Sequence, residues 1–216
     1  MQYTGLISID YRKMSLTKEG LMANISKFDR EDVLIKAKNL FWQKGFLATS
    51  TREIQTTMDM RPGSIYAAFG SKADLFHQTL IHYAQTSTDV LNAHLAQHEH
   101  AWDGLKQYLR GLIVPCSAEV PSELCMIMRT LAELDESHQE TLDIAKGLLN
   151  KVEHRFAGIV EQAQQQGDLS AQYDKHQLAK KLQVHIIGLR SYLKATGDTE
   201  TVSQQLEEFF TQIQSK

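Results

Sequence analysis

The chain is poor in the residues that mark several large protein classes. It has two cysteines in 216 residues, Cys116 and Cys125, too few for a disulfide scaffold and not a Cys-x-x-Cys pair. It has three prolines, Pro62, Pro115 and Pro121, so long helices are seldom interrupted. No apolar run approaches the roughly 20 residues of a membrane helix. No basic stretch followed by an apolar one opens the chain, so no secretory signal is expected and the location reads as cytoplasmic. Missing too are Gly-x-Ser-x-Gly, His-Glu-x-x-His, a strand-borne Gly-x-Gly-x-x-Gly and a P-loop. The expectation is therefore no catalytic residues and no cofactor.

What is present is an ordinary globular balance of 42% hydrophobic and 23% charged residues with a net charge of −3. Apolar residues recur at 3.6-residue spacing rather than in alternation. That predicts an all-α chain of about nine helices and disfavours parallel-sheet enzymes. Residues 1–82 hold 11 Lys+Arg and 8 Asp+Glu, whereas residues 83–216 are net −6. A mildly basic head on an acidic body suits a head that meets a polyanion.

Helices are expected at about 30–44, 50–58, 62–69, 71–98, 102–114, 122–135, 138–166, 174–195 and 200–214. Asp29 is the expected cap of the first, and Gly45 its left-handed end. Ser50-Thr51-Arg52-Glu53 and Ser71-Lys72-Ala73-Asp74 read as capping boxes. Pro62 suits the first turn of the third helix. The divisions are an N-terminal extension at 1–27, a head at 28–75 and a ligand-binding and dimerisation body at 76–216. Met22 offers a second translation start, with 1–21 read as upstream of it; the alternative is a basic arm on the DNA backbone.

Two short helices joined by Asp59-Met60-Arg61, the second opening Pro62-Gly63-Ser64, form a helix-turn-helix pattern. Helix N-terminal amides bind anions, and Gly63 lets backbone approach a phosphate or base edge. Ser50, Thr51, Arg52, Arg61, Tyr66 and Lys72 supply donors around that tip. Ala67 and Ala68 are small enough to let the helix enter a major groove. A plain helical hairpin with charged rims is the competing reading.

Residues 30–76 resemble the DNA-binding head of TetR-family transcriptional regulators. The run that carries this is Phe41, Gly45-Phe46, Thr49-Ser50-Thr51-Arg52-Glu53-Ile54, Gly63-Ser64-Ile65-Tyr66, Phe69, Ser71-Lys72 and Leu75-Phe76. The resemblance implies a recognition helix around 62–68, with Thr51, Arg52, Ser64, Tyr66 and Lys72 on DNA. It implies a repressor released from a palindromic operator by a small-molecule inducer or a thiol-reactive signal. Two positions depart from the pattern: Asp59 replaces the usual turn glycine, and Ala68 replaces a His or Tyr. Leu124-Cys125-Met126 with Ala132-Glu133-Leu134 is similar to a subgroup in which a cysteine senses electrophiles or oxidants. There Leu124 stands for the usual glycine.

In the body, Trp102, Tyr108, Cys125, Met126, Arg129 and Phe156 are candidate pocket residues for an unidentified inducer, and ordinary core is the alternative for each. Cys125, expected near a helix start capped by Ser122, has Arg129 one turn on, which favours a thiolate. Cys116 is a candidate resolving partner. Leu178, Leu182, Ile186, Leu189 and Leu193 make one stripe facing inward. Val184, Gly188, Ser191 and Ala195, with Leu206, Phe209, Phe210 and Ile213, are the candidate homodimer face, and a four-helix interface is expected. His94, His98 and His100 share the i, i+4 spacing of a metal pair, but Glu99 points elsewhere on a helix and no metal is expected. His185 reads as a hydrogen-bonded core or interface histidine. The rival class is a metal- or redox-sensing helical bundle with a catalytic or metal-binding body.

Overall fold

Nine α-helices and one short 3-10 turn, with no strand, make up the described residues, in keeping with the 3.6-residue periodicity. The structure, a computed structural model, describes residues 29–114 and 124–214, and for Pro62 the backbone alone. The expected arm at 1–27, the Ser122 cap and Cys116 lie outside the described residues.

The first four helices are bounded by chemistry within a few residues of each end. Asp29 accepts the Glu31 amide at 2.9 Å and opens α1 (Arg30–Lys44). Ser50 and Glu53 close a reciprocal box on α2 (Thr51–Met58): Ser50 Oγ accepts from the Glu53 amide and Glu53 from the Ser50 amide. Asp59 ends α2 in the left-handed region, at φ 52° and ψ 44°, a conformation that Asp tolerates better than most residues. Pro62 sits in the first turn of α3 (Pro62–Phe69), where its missing N–H has no helical partner to lose. A second box, Ser71 with Asp74, opens the 25-residue α4 (Lys72–Ala96).

The remaining helices are α5 (Ala101–Ile113), α6 (Met126–Glu133), α7 (Gln139–Gln165), α8 (Lys175–Thr196) and α9 (Thr199–Gln214). Two local expectations are corrected. Gly45 has a positive φ of 91° but a ψ of 170°, outside the left-handed helical well. α6 begins at Met126 rather than near 122, and Cys125 is itself the cap, its Sγ accepting the Met128 amide at 3.3 Å.

Two apolar clusters hold these helices. One is centred on Phe41, Phe46 and Phe76, whose rings meet at 4.9 Å across the Phe76 pairs, with Ile54, Ile65 and Leu75. Met126, Ile127, Leu142, Ala145 and Leu148 of α6 and α7 complete it, so the small N-terminal helices do not bury their core alone. The second joins α5, α7, α8 and α9 around Trp102, Leu109, Phe156, Val160, Leu182 and Phe210. Each fully buried side chain of this size contributes about 1.5–3 kcal/mol, which is what lets nine helices of modest propensity persist.

Candidate nucleic-acid interface

The tip of α3 is open. Gly63, Ser64 and Ala67 are exposed, and a Cβ built on Gly63 meets nothing within 4 Å. Arg61, just before α3, is exposed, as are Thr51 and Arg52 at the start of α2. Tyr66 is half-buried, and Ile65 and Phe69 turn inward to anchor the helix. α3 therefore buries one stripe and presents its N-terminal turn to solvent, with the Ser64 and Ile65 amides held by the Arg61 carbonyl at 3.0 and 3.2 Å.

Two neighbours fix this helix. Arg30 of α1 donates to the Ala68 carbonyl at 3.2 Å and stands 4.5 Å over the Phe69 ring, so α1 holds the C-terminal end of α3. It also pairs with Gln78. Nothing in the local pattern marks Arg30 for this role, because Ala68 is 38 residues away. Lys72, first residue of α4, stands 4.5 Å over the Phe46 ring. Partial burial lowers its pKa, opposed by the charges of Glu133 and Glu53.

Ser50 is placed differently from the rest. Its hydroxyl and amide both engage Glu53, which also pairs with Lys44, so Ser50 serves first as a helix cap. The Lys44 hydrogen bond and then the Ser50 bonds hold the Glu53 carboxyl down at about 2.

The sequence pattern of the tetracyclin repressor-like C-terminal domain matches residues 101–209, and that of the bacterial regulatory proteins of the tetR family matches residues 33–79. The chain belongs to the TetR family. It is a DNA-binding transcriptional regulator, and as a TetR protein it is a dimer. It is 47% identical over 60 residues to the HTH-type transcriptional repressor BdcR of Escherichia coli K12, a match spanning 28% of this chain and 30% of that one. The likeness to the repressor ComR of the same organism is 25% over 179 residues, 82% of this chain and 85% of ComR. Among solved structures, a cysteine mutant of the TetR-family regulator CifR, complexed with a 26-base-pair operator duplex, is 26% identical. It superposes with a TM-score of 0.77 over 86% of this chain and 97% of that one. This fold and family are those of regulators that are not enzymes. No helix among the described residues is long and apolar enough to cross a membrane.

The body residues of this TetR chain sort into groups that the sequence did not separate. Trp102 and Phe156 are built into the body core, with Trp102 edge-on to Phe210 at 5.4 Å. Tyr108, which belongs to that core too, lies with Cys125 and Met126 around Tyr83 and the buried Arg190. Burial raises the Tyr83 phenol well above its usual range, and the Cys125 and Tyr108 groups push the same way against Arg190. Tyr83 and Arg190 were not among the candidates; a lone arginine inside an apolar helical stripe was the available signal. Arg129 is half-exposed and is not among the charges acting on Cys125. Burial raises the Cys125 thiol pKa, outweighing the Met128 amide and Arg190.

On α8, Val184 is 70% exposed, and Gly188, Ser191 and Ala195 are exposed beside it. On α9 the expectation is corrected: Leu206, Phe210 and Ile213 are buried within the subunit, because α9 spends its apolar face on α5 and α8. Phe209 alone of that group stays half-exposed, stacked on His185 at 4.4 Å. An open groove of about 330 Å³ lies there, lined by Gln177, Lys180, Lys181, Val184, His185 and Phe209. His98 Nδ1 lies 2.7 Å from the His94 carbonyl, and His100 lies 2.8 Å from Asp168. Among the described residues no three His, Cys, Asp or Glu side chains gather as a metal site needs.

Proposed function

We propose that this protein is a cytoplasmic, non-catalytic repressor whose dimer grips an inverted-repeat operator and is released by a small molecule in the body. The observation that carries this reading is the open N-terminal turn of α3, with Gly63, Ser64 and Ala67 exposed between Arg61 and half-buried Tyr66. The DNA face comprises Thr51, Arg52, Arg61, Pro62, Gly63, Ser64, Tyr66, Ala67 and Lys72, with Ser50 supporting it as a cap. Residues 28–75 act as the reading head and 76–216 as the ligand-binding and dimerisation body. Recognition helices of a two-fold dimer enter major grooves about 34–36 Å apart, or a further turn away. The inducer site is the surroundings of Tyr83, Tyr108, Cys125, Met126 and Arg190, where polar groups converge beneath an otherwise apolar interior.

The test is a shift assay on the duplex upstream of the protein's own gene, with salt varied. Binding to a palindromic segment by the dimer, lost on scrambling one half-site, is the expected result. Equal binding to unrelated duplexes at every salt concentration refutes it. Burial, which raises the Cys125 thiol pKa, favours ligand occupancy over thiol chemistry as the release signal.

A further inference from the structure

Helix α6 is tied to α1 and its following loop at both ends. At its start, Trp42 Nε1 donates to the Leu124 carbonyl at 2.6 Å. At its end, the Glu133 carboxylate reaches back to the loop after α1, accepting the Phe46 amide at 3.0 Å and the Leu47 amide at 2.6 Å. A Cβ built on Gly45 falls 2.4 Å from Glu133 Oε2, so only glycine admits the carboxylate there. Phe46, whose amide is held this way, carries the ring under the Lys72 ammonium.

We propose that Glu133 is a positioning residue for DNA binding: it clamps the Phe46 and Leu47 amides, and through Phe46 it sets where the Lys72 ammonium stands. This rests on the reading of Lys72 as a phosphate contact. The body thereby holds a component of the DNA face directly, not only through α4. Two consequences of the carboxylate oppose each other. Its negative charge near Lys72 repels a phosphate, so electrostatics alone predicts that neutralising it tightens DNA binding. Its two hydrogen bonds fix the loop, so positioning predicts the reverse. A glutamine keeps one acceptor oxygen but turns its NH₂ toward the second amide, where donor faces donor.

The experiment measures binding of the full-length protein to a labelled duplex selected by the wild type from a random pool, across a salt series. Glu133→Gln weakens binding about tenfold or more and lowers the salt slope by about one unit, as loss of one phosphate contact does. In a Lys72→Ala background the same change costs little further. Glu133→Asp keeps the charge but is one methylene short, and behaves like Glu133→Gln; it also serves if the glutamine variant does not fold. Tighter binding by Glu133→Gln, full additivity with Lys72→Ala, or wild-type behaviour of Glu133→Asp overturns the clamp. A Lys72→Ala protein that binds like wild type overturns the reading of Lys72 beneath it. A normal Lys72→Ala loss with unchanged Glu133→Gln and Glu133→Asp overturns the clamp alone.

Discussion

Replacing Gly188 by leucine is expected to strengthen the subunit and break the dimer. A Cβ at Gly188 meets nothing within 4 Å of its own chain, and the residue lies inside the 22-residue α8. Glycine in a helix interior costs about 0.8–1 kcal/mol relative to alanine, and leucine is close to alanine, so the isolated subunit gains most of that. The dimer loses more. We place the dimer contact on the exposed face of α8, where Gly188 stands with Ser191 and Ala195, residues small enough for a partner helix to approach closely. Overfilling such a contact costs about 1–3 kcal/mol, and two-fold symmetry puts two leucines in one interface. The sum is about 2–6 kcal/mol, which raises the dimer dissociation constant roughly 30-fold to 10⁴-fold. Sedimentation velocity over a dilution series reads the affinity, and circular dichroism of the same samples reads the fold. Val184→Lys makes an independent check: Val184 is 70% exposed and contributes little to the subunit, while Lys180 and Lys181 lie four and three residues back. Wild-type dimer affinity in both variants would refute this placement of the interface, and so would monomers that have lost helix content.

On the DNA face, Arg52→Ala should weaken binding to all duplexes alike and lower the salt slope by about one unit, read by anisotropy. Tyr66→Phe should cost about 1 kcal/mol at the operator through one lost hydrogen bond, and no loss removes Tyr66 from the interface. At Cys125 the raised pKa predicts alkylation by iodoacetamide slower than that of a free model thiol at neutral pH. Cys125→Ser keeps a capping atom and should release DNA like wild type under quinones, aldehydes or hypochlorite; loss of release in that variant alone restores the thiol-sensing reading. For pH, the folded Glu53 carboxyl lies at about 2 against an ordinary 4.5. A depressed carboxylate stabilises above the unfolded value and loses that contribution as pH falls through the folded one. Glu53→Gln should therefore flatten the acid limb of urea stability between about pH 4.5 and 2, and an unchanged limb refutes the assignment.

The sequence by itself determined what is decided within a few residues. Ser50 with Glu53, Ser71 with Asp74, Asp29 with Glu31 and the left-handed Asp59 all follow from backbone groups that a near neighbour must satisfy. The helix-turn-helix was legible for that reason: caps and turn residues stand at fixed short spacings. At Cys125 the local signal misplaced the helix start, because a sulfur cap is a weak one and Ser122 is the stronger capping type. Tertiary structure decided the rest. An apolar stripe says that a helix face is buried but not against what, so Leu206, Phe210 and Ile213 went to the subunit core while Val184 stayed outside. The Glu133 carboxylate meets the Phe46 amide across 87 residues, and Arg30 meets the Ala68 carbonyl across 38. Such partners are fixed only when packed helices bring distant donors and acceptors within hydrogen-bond reach, and no short-range periodicity encodes that.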